Sequence, residues 1–92
     1  MTNHTIQILG KPYEVRFEDD TSMGGMMGTS KASAQVIRIN TNQADENTMD
    51  TILHEILHVI DRELGIGLEE RDIQCLAVGL FSCSNIEIGE PQ

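Results

Sequence analysis

An α+β domain is the fold class this sequence predicts: a small antiparallel three-stranded sheet packed on two helices. Three observations predict it. Apolar and polar residues alternate with period two in the first forty residues, and from about residue 45 onward apolar residues recur every three or four. The chain's 92 residues suffice for one core and not for two. The expected layout is a single domain over 1–92, β-rich over 5–40 and helical over 45–83.

Residues 5–18 predict a hairpin. Ile6 and Ile8 alternate with polar neighbours, Gly10-Lys11-Pro12 supplies the turn, and Tyr13, Val15 and Phe17 alternate with Glu14, Arg16 and Glu18. Asp19 to Ser22 closes the second strand. Met23 to Ser30 carries three glycines and no periodicity, which predicts a mobile connector, with a lid facing substrate as the alternative. Ala34 to Asn40 predicts a third strand, since Val36, Ile37 and Ile39 favour the pleated conformation. From about Asp45 to Leu64, Met49, Ile52, Leu53, Ile56, Leu57, Ile60 and Leu64 form a helical stripe. Asp45 or Asn42 is expected to cap its start, and Gly65 to end it. After the Gly65–Leu68 turn, Ile73, Leu76, Ala77, Leu80 and Phe81 predict a second helix over about Glu69 to Ser82. The acidic tail, Ser84 to Gln92, carries Pro91 and is expected to be loose at its end.

Composition narrows the function classes. With one Tyr, two Phe and no Trp, the core must be built from Ile, Leu, Val and Met, and a bound metal would add materially to the stability of so small a domain. A net charge of −9 argues against nucleic acid or an anionic membrane as a direct partner. It suits a cationic protein or peptide partner, and equally a surface that is acidic only for solubility. No run of about 18 apolar residues exists to span a membrane, and the N-terminus lacks the basic start and apolar run of a secretion signal. Cys75 and Cys83 are separated by about 12 Å of helical rise, beyond disulfide reach. They are expected to be free thiols packed in the core of a cytoplasmic protein.

His54-Glu55-Ile56-Leu57-His58 is the sharpest chemical signal. It has the form H-E-x-x-H and falls within the first predicted helix. Histidines four apart stack on one helical face, so both imidazoles can reach one metal ion, and the intervening glutamate can take a proton from a water beside it. With three histidines in the chain, a chance match to this pattern is expected on the order of 1% of the time. A catalytic zinc takes three protein ligands and leaves a position for water, so a third ligand must come from elsewhere. Asp61 shares the histidine face, but three ligands on one straight helix would spread over about 10 Å of rise. It is expected instead to orient His54 or His58 through the other ring nitrogen. On the second helix Glu70 shares a stripe with Ile73, Ala77 and Leu80, while Asp72 shares a face with Leu76 and Glu69 faces water at the helix start. The ranking for third ligand is therefore Glu70, then Asp72, then Asp61.

Strands followed by a helix bearing this motif, and then by a helix supplying an acid, resemble the zincin metallopeptidases. The run Leu53 to Asp61, with Ile37 to Asn40 ahead and Leu76 to Leu80 after, is most similar to very small gluzincin-type members. These are akin to the ImmA/IrrE-like peptidases of bacteriophages and mobile elements. The resemblance covers roughly residues 5–83, and only the five-residue motif is diagnostic. It implies a zincin-like fold, zinc bound by His54, His58 and Glu70, and Glu55 as general base. The metzincin pattern is absent, because Leu64 stands at its third-histidine offset. Such peptidases often add a Tyr or His to stabilise the oxyanion, and here only Tyr13 and His4 remain. The expected function is a zinc-dependent endopeptidase acting on a protein or peptide substrate, with the edge of strand Val36–Asn40 available to an extended peptide. The alternative is a non-catalytic zincin-like module that binds a host or regulatory protein. Glu55 discriminates the two, since a structural site needs no base between its histidines.

Overall fold

The hairpin closes earlier than Gly10-Lys11-Pro12 suggests. In a computed structural model that describes residues 4–83, β1 (His4–Ile8) and β2 (Lys11–Glu18) are joined by Leu9 and Gly10. Both take positive φ, 52° and 81°, as a two-residue turn matched to strand twist requires. Pro12 therefore belongs to β2, opposite Gln7, and its carbonyl accepts a hydrogen bond from Gln35 Nε2. Ile6 pairs with Tyr13 and Ile8 with Lys11, which puts Ile6, Ile8, Tyr13 and Val15 on one face.

The sheet is four-stranded and mixed, not three-stranded and antiparallel as the alternation predicts. After β2 comes a short helix, α1 (Asp20–Met23), then β3 (Gly28–Lys31) and β4 (Val36–Asn40), in the spatial order β1-β2-β4-β3. β4 runs parallel to β2 and antiparallel to β3. The extra strand lies in the glycine-rich stretch expected to be a loop. It escapes the periodicity because Gly28, Thr29 and Ser30 carry little apolar contrast, while backbone pairing needs none. α1 is capped by Asp19, whose side chain accepts from Ser22 N at 2.8 Å.

Helix α2 (Asp45–Leu64) is continuous, as predicted. Its cap is Ala44 rather than Asn42 or Asp45, and no side chain bonds its first amides. The backbone amide of Asn42 donates to Asn40 Oδ1. Asp45 and Glu46 instead supply negative charge in the first turn. Gly65, with φ 63°, ends the helix and returns its amide to Asp61 O.

One core fills the space between sheet and α2. Ile8, Tyr13, Val15, Ile37 and Ile39 meet Val59, flanked by Ile52, Ile56 and Ile60. Met49 and Leu64, at the ends of the predicted stripe, are exposed. The reason is length. Twenty helical residues run about 30 Å, whereas a strand of five residues covers about 17 Å. Helix α3 (Glu70–Cys83) packs against α2 and buries Ile73 and Ala77. Cys75 is exposed rather than in the core, because it lies on the outer face of α3; the side chain of Cys83 and the tail 84–92 lie outside the described residues. The sheet's other face is polar, and there Arg38 binds Glu18 and Ser22 O, holding the Glu18 carboxyl below its usual range. No described helix is long and apolar enough to cross a membrane.

This packing separates positions that the apolar pattern treats alike. Ile37→Ala, at a fully buried site, is expected to cost about 2–5 kcal/mol in urea denaturation. Leu64→Ala should stay within about 0.5 kcal/mol. Equal effects would mean that the core does not lie between the sheet and α2.

Candidate metal centre

His54 and His58 stand on the side of α2 that faces α3, partly buried at 18% and 26% side-chain exposure. Glu55, one residue on, is rotated toward the sheet and is buried. The chain reverses over residues 65–69, and Asp61 makes that reversal. Its Oδ1 accepts from Gly67 N and Leu68 N, each at 2.9 Å. Asp72 in turn accepts from Glu69 N at 3.1 Å, while Glu69 O accepts from Ile73 N and so closes the first turn of α3. The expected role of Asp61 in orienting a histidine is thus replaced by a turn role. Asp72, the second-ranked ligand, is a helix-start residue.

Glu70 is what this turn delivers. His54 Nε2 lies 2.5 Å from Glu70 Oε2, His58 Nε2 lies 3.1 Å from Glu70 Oε1, and the two Nε2 atoms are 3.2 Å apart. Glu70 turns a different oxygen to each imidazole, and one ligand atom from each residue lies within 4.8 Å of the others, an arrangement that calls for a shared proton or a shared cation. A tetrahedral zinc ion bonded at 2.0–2.1 Å would hold its ligand atoms about 3.3 Å apart. The two longer separations match that spacing. The shortest is the length of a charge-assisted hydrogen bond, and Glu70, 56% exposed at the first turn of α3, is free to withdraw the difference. These three residues fit a small divalent cation.

Beside the cluster opens a groove of about 340 Å³, walled by Asp50, Thr51, His54 and Glu55 of α2 and by Glu70 and Gln74 of α3. Met26, Met27 and Gly28 form its lip. Glu55 is 7% exposed, and no described residue donates to its carboxylate. The residue is buried while its carboxylate opens on the groove beside the cluster. Gly28 makes it possible. A Cβ built there would sit 2.5 Å from Thr51 Cγ2 and 3.2 Å from Glu55 Cγ, so β3 approaches α2 only because residue 28 has no side chain.

The lip is held by amide side chains. Buried Asn40 donates from Nδ2 to Met26 O and Asp20 Oδ1, both at 2.9 Å, and its own amide donates to Met27 O. Gln43 donates to Asn40 O at 2.7 Å and accepts from Thr51 Oγ1 at 3.1 Å. The lip is therefore tied at once to β4 and to α2.

Of the residues singled out from sequence, His54, His58 and Glu70 meet at one point with Glu55 alongside. Tyr13 is fully buried in the core and His4 packs edge-on against Phe17 on β1, the sheet edge opposite β3, so neither lines the groove. β4 offers no free edge, because β2 and β3 flank it; the open edge near the groove belongs to β3. Sequence reasoning did not find Gly28, Asn40, Gln43 or Asp50 as site residues. Their side chains, or lack of one, act across contacts distant in sequence, and only the glycine cluster at 24–28 offered a signal. No known family, characterised protein or solved structure matches the chain.

The close approach at Gly28 predicts a specific rescue. Gly28→Ala should destabilise the protein by about 1–3 kcal/mol. Thr51→Ser, which removes the clashing methyl and keeps the hydroxyl bonded to Gln43, should restore most of it. Additive effects in a double-mutant cycle would refute the contact.

Proposed function

We propose that this chain is a zinc-dependent endopeptidase with a zincin-like fold, acting on protein or peptide substrates. The observation that carries this reading is Glu55, a buried residue whose carboxylate opens on the same groove as the His54–His58–Glu70 cluster. A purely structural metal site has no use for such a base. Zinc held by His54, His58 and Glu70 would polarise the scissile carbonyl and acidify the attacking water.

The chain's own residues then have defined tasks. Glu55 takes the water's proton as the water oxygen bonds to the carbonyl carbon. It passes that proton to the amide nitrogen as the C–N bond breaks, so one water is consumed and an acid and an amine are released. The open edge of β3 offers backbone groups to a peptide in extended form, alongside the groove. Gln74, across the groove, has an amide that no described residue engages and that suits a developing negative charge.

A binding-module reading draws on α3, whose Leu76, Val78 and Leu80 are exposed apolar residues. It differs in one consequence, since partner binding through α3 would be indifferent to Glu55→Gln.

Purified protein is expected to hold about one zinc per chain, lost in His54→Ala and in His58→Ala. Glu70→Ala should weaken zinc in chelator competition more than Asp72→Ala or Asp61→Ala, whose carboxylates serve the turn and helix start. Stoichiometric zinc in both histidine variants would remove the site assignment. Glu55→Gln should retain zinc and lose about 10²–10⁴-fold in peptide hydrolysis. Hydrolysis at the wild-type rate in that variant, or none by the zinc-loaded wild type, would overturn the peptidase reading.

A further inference from the structure

Asp50 lies one helical turn before His54 and lines the groove, yet neither metal binding nor proton transfer uses it. Its Oδ1 is closed off from solvent and receives no hydrogen bond from a described residue. The side chain as a whole is only half-buried, so the carboxylate still presents itself to the groove. An enclosed acceptor without a donor is retained at a cost in stability, and more so when it is charged. No lysine or arginine lines the groove to offset that charge. Even with a divalent cation in the cluster, the carboxylates of Asp50, Glu55 and Glu70 leave the groove with an excess negative charge. The same groove is lined by Met26 and Met27, 51% and 43% exposed. The polarisable side chains of these two residues form an adaptable apolar lip.

We infer that this groove is a subsite for a basic side chain, so that the peptides it takes carry lysine or arginine beside the bond presented to Glu55. The inference rests on the peptidase reading and names its substrate class. Lysine and arginine combine an apolar stem with a charged head. The stem covers the methionine lip while the head pairs with the Asp50 oxygen that faces the groove, and brings a counter-charge that no residue lining the groove provides. An apolar side chain would cover the lip but leave Asp50 further desolvated and unpaired. An acidic one would meet like charge.

The test uses full-length, zinc-loaded Glu55→Gln protein, which binds without turnover, and fluorescent peptides identical except for one residue. That residue is lysine, norleucine or glutamate, placed in turn at each position flanking the scissile bond, and binding is read by anisotropy. At one position lysine should bind about tenfold more tightly than norleucine, the scale of a single charge-assisted hydrogen bond, with glutamate weakest. Asp50→Asn should erase the lysine advantage and Asp50→Lys should transfer it to glutamate. Zinc content and circular dichroism are checked for each variant, and Asp50→Ser replaces any that fails to fold. Equal affinity for lysine and norleucine, a lysine advantage that survives Asp50→Asn, or no binding of any peptide would overturn the subsite. Hydrolysis of the same peptides by wild-type protein separates the two ideas. A lysine preference in binding without hydrolysis would refute the peptidase and leave the subsite, whereas hydrolysis without lysine preference would do the reverse.

Discussion

The close seating of β3 against α2 is the constraint on which the rest of the candidate site depends. At Gly28 the strand backbone comes so near to Thr51 and Glu55 that no Cβ fits between them. That approach makes β3 a wall of the groove and brings Met26 and Met27 to its lip. It also deprives Glu55 of most of its water. A side chain at residue 28 would collide with the Thr51 methyl and crowd Glu55, so the strand could not keep this seat unchanged. The amides of Asn40 and Gln43 act in the same sense, tying the lip to β4 and, through Thr51, to α2.

α2 serves two neighbours with adjacent faces. Val59, with Ile52, Ile56 and Ile60, secures it to the sheet, while His54 and His58 look toward α3. Because the histidines border the buried face, they are half-shielded from water without being lost to the core. A metal held there would act in a setting of reduced dielectric, where its field on a carbonyl is less screened than in water. The apolar packing that stabilises α2 and the polarity of the candidate centre are thus consequences of one helix orientation.

The acids near the centre divide their labour. Asp61 closes the reversal after α2, Asp72 supports the start of α3, and Glu70 is left to meet the histidines. Each takes the partner that its position in the turn leaves available. In a chain of net charge −9, carboxylates are abundant and charge alone distinguishes none of them. Backbone amides in the turn decide which are engaged, and Glu70 is the one whose oxygens reach both imidazoles.

What the sequence by itself determined is local. The helix over 45–64, the second helix, the β1–β2 hairpin and the shared face of His54 and His58 follow from periodicity, which is a property of neighbouring residues. The same periodicity singled out Glu70 through its offset from Ile73 and Ala77. What only the tertiary structure decided is pairing. β3 was invisible because strand pairing uses backbone groups and Gly28-Thr29-Ser30 carries no apolar alternation. The interior place of β4, and with it the free edge at β3, depends on a parallel register with β2 that no local pattern specifies. Capping of α2 by Ala44 and the exposure of Cys75 were settled by contacts and by element lengths, not by residue preference. Glu55 shows the division most plainly. Its place in the motif was legible from the sequence, whereas its burial depends on a glycine far away in the chain, because the space that a side chain occupies exists only once the elements have packed.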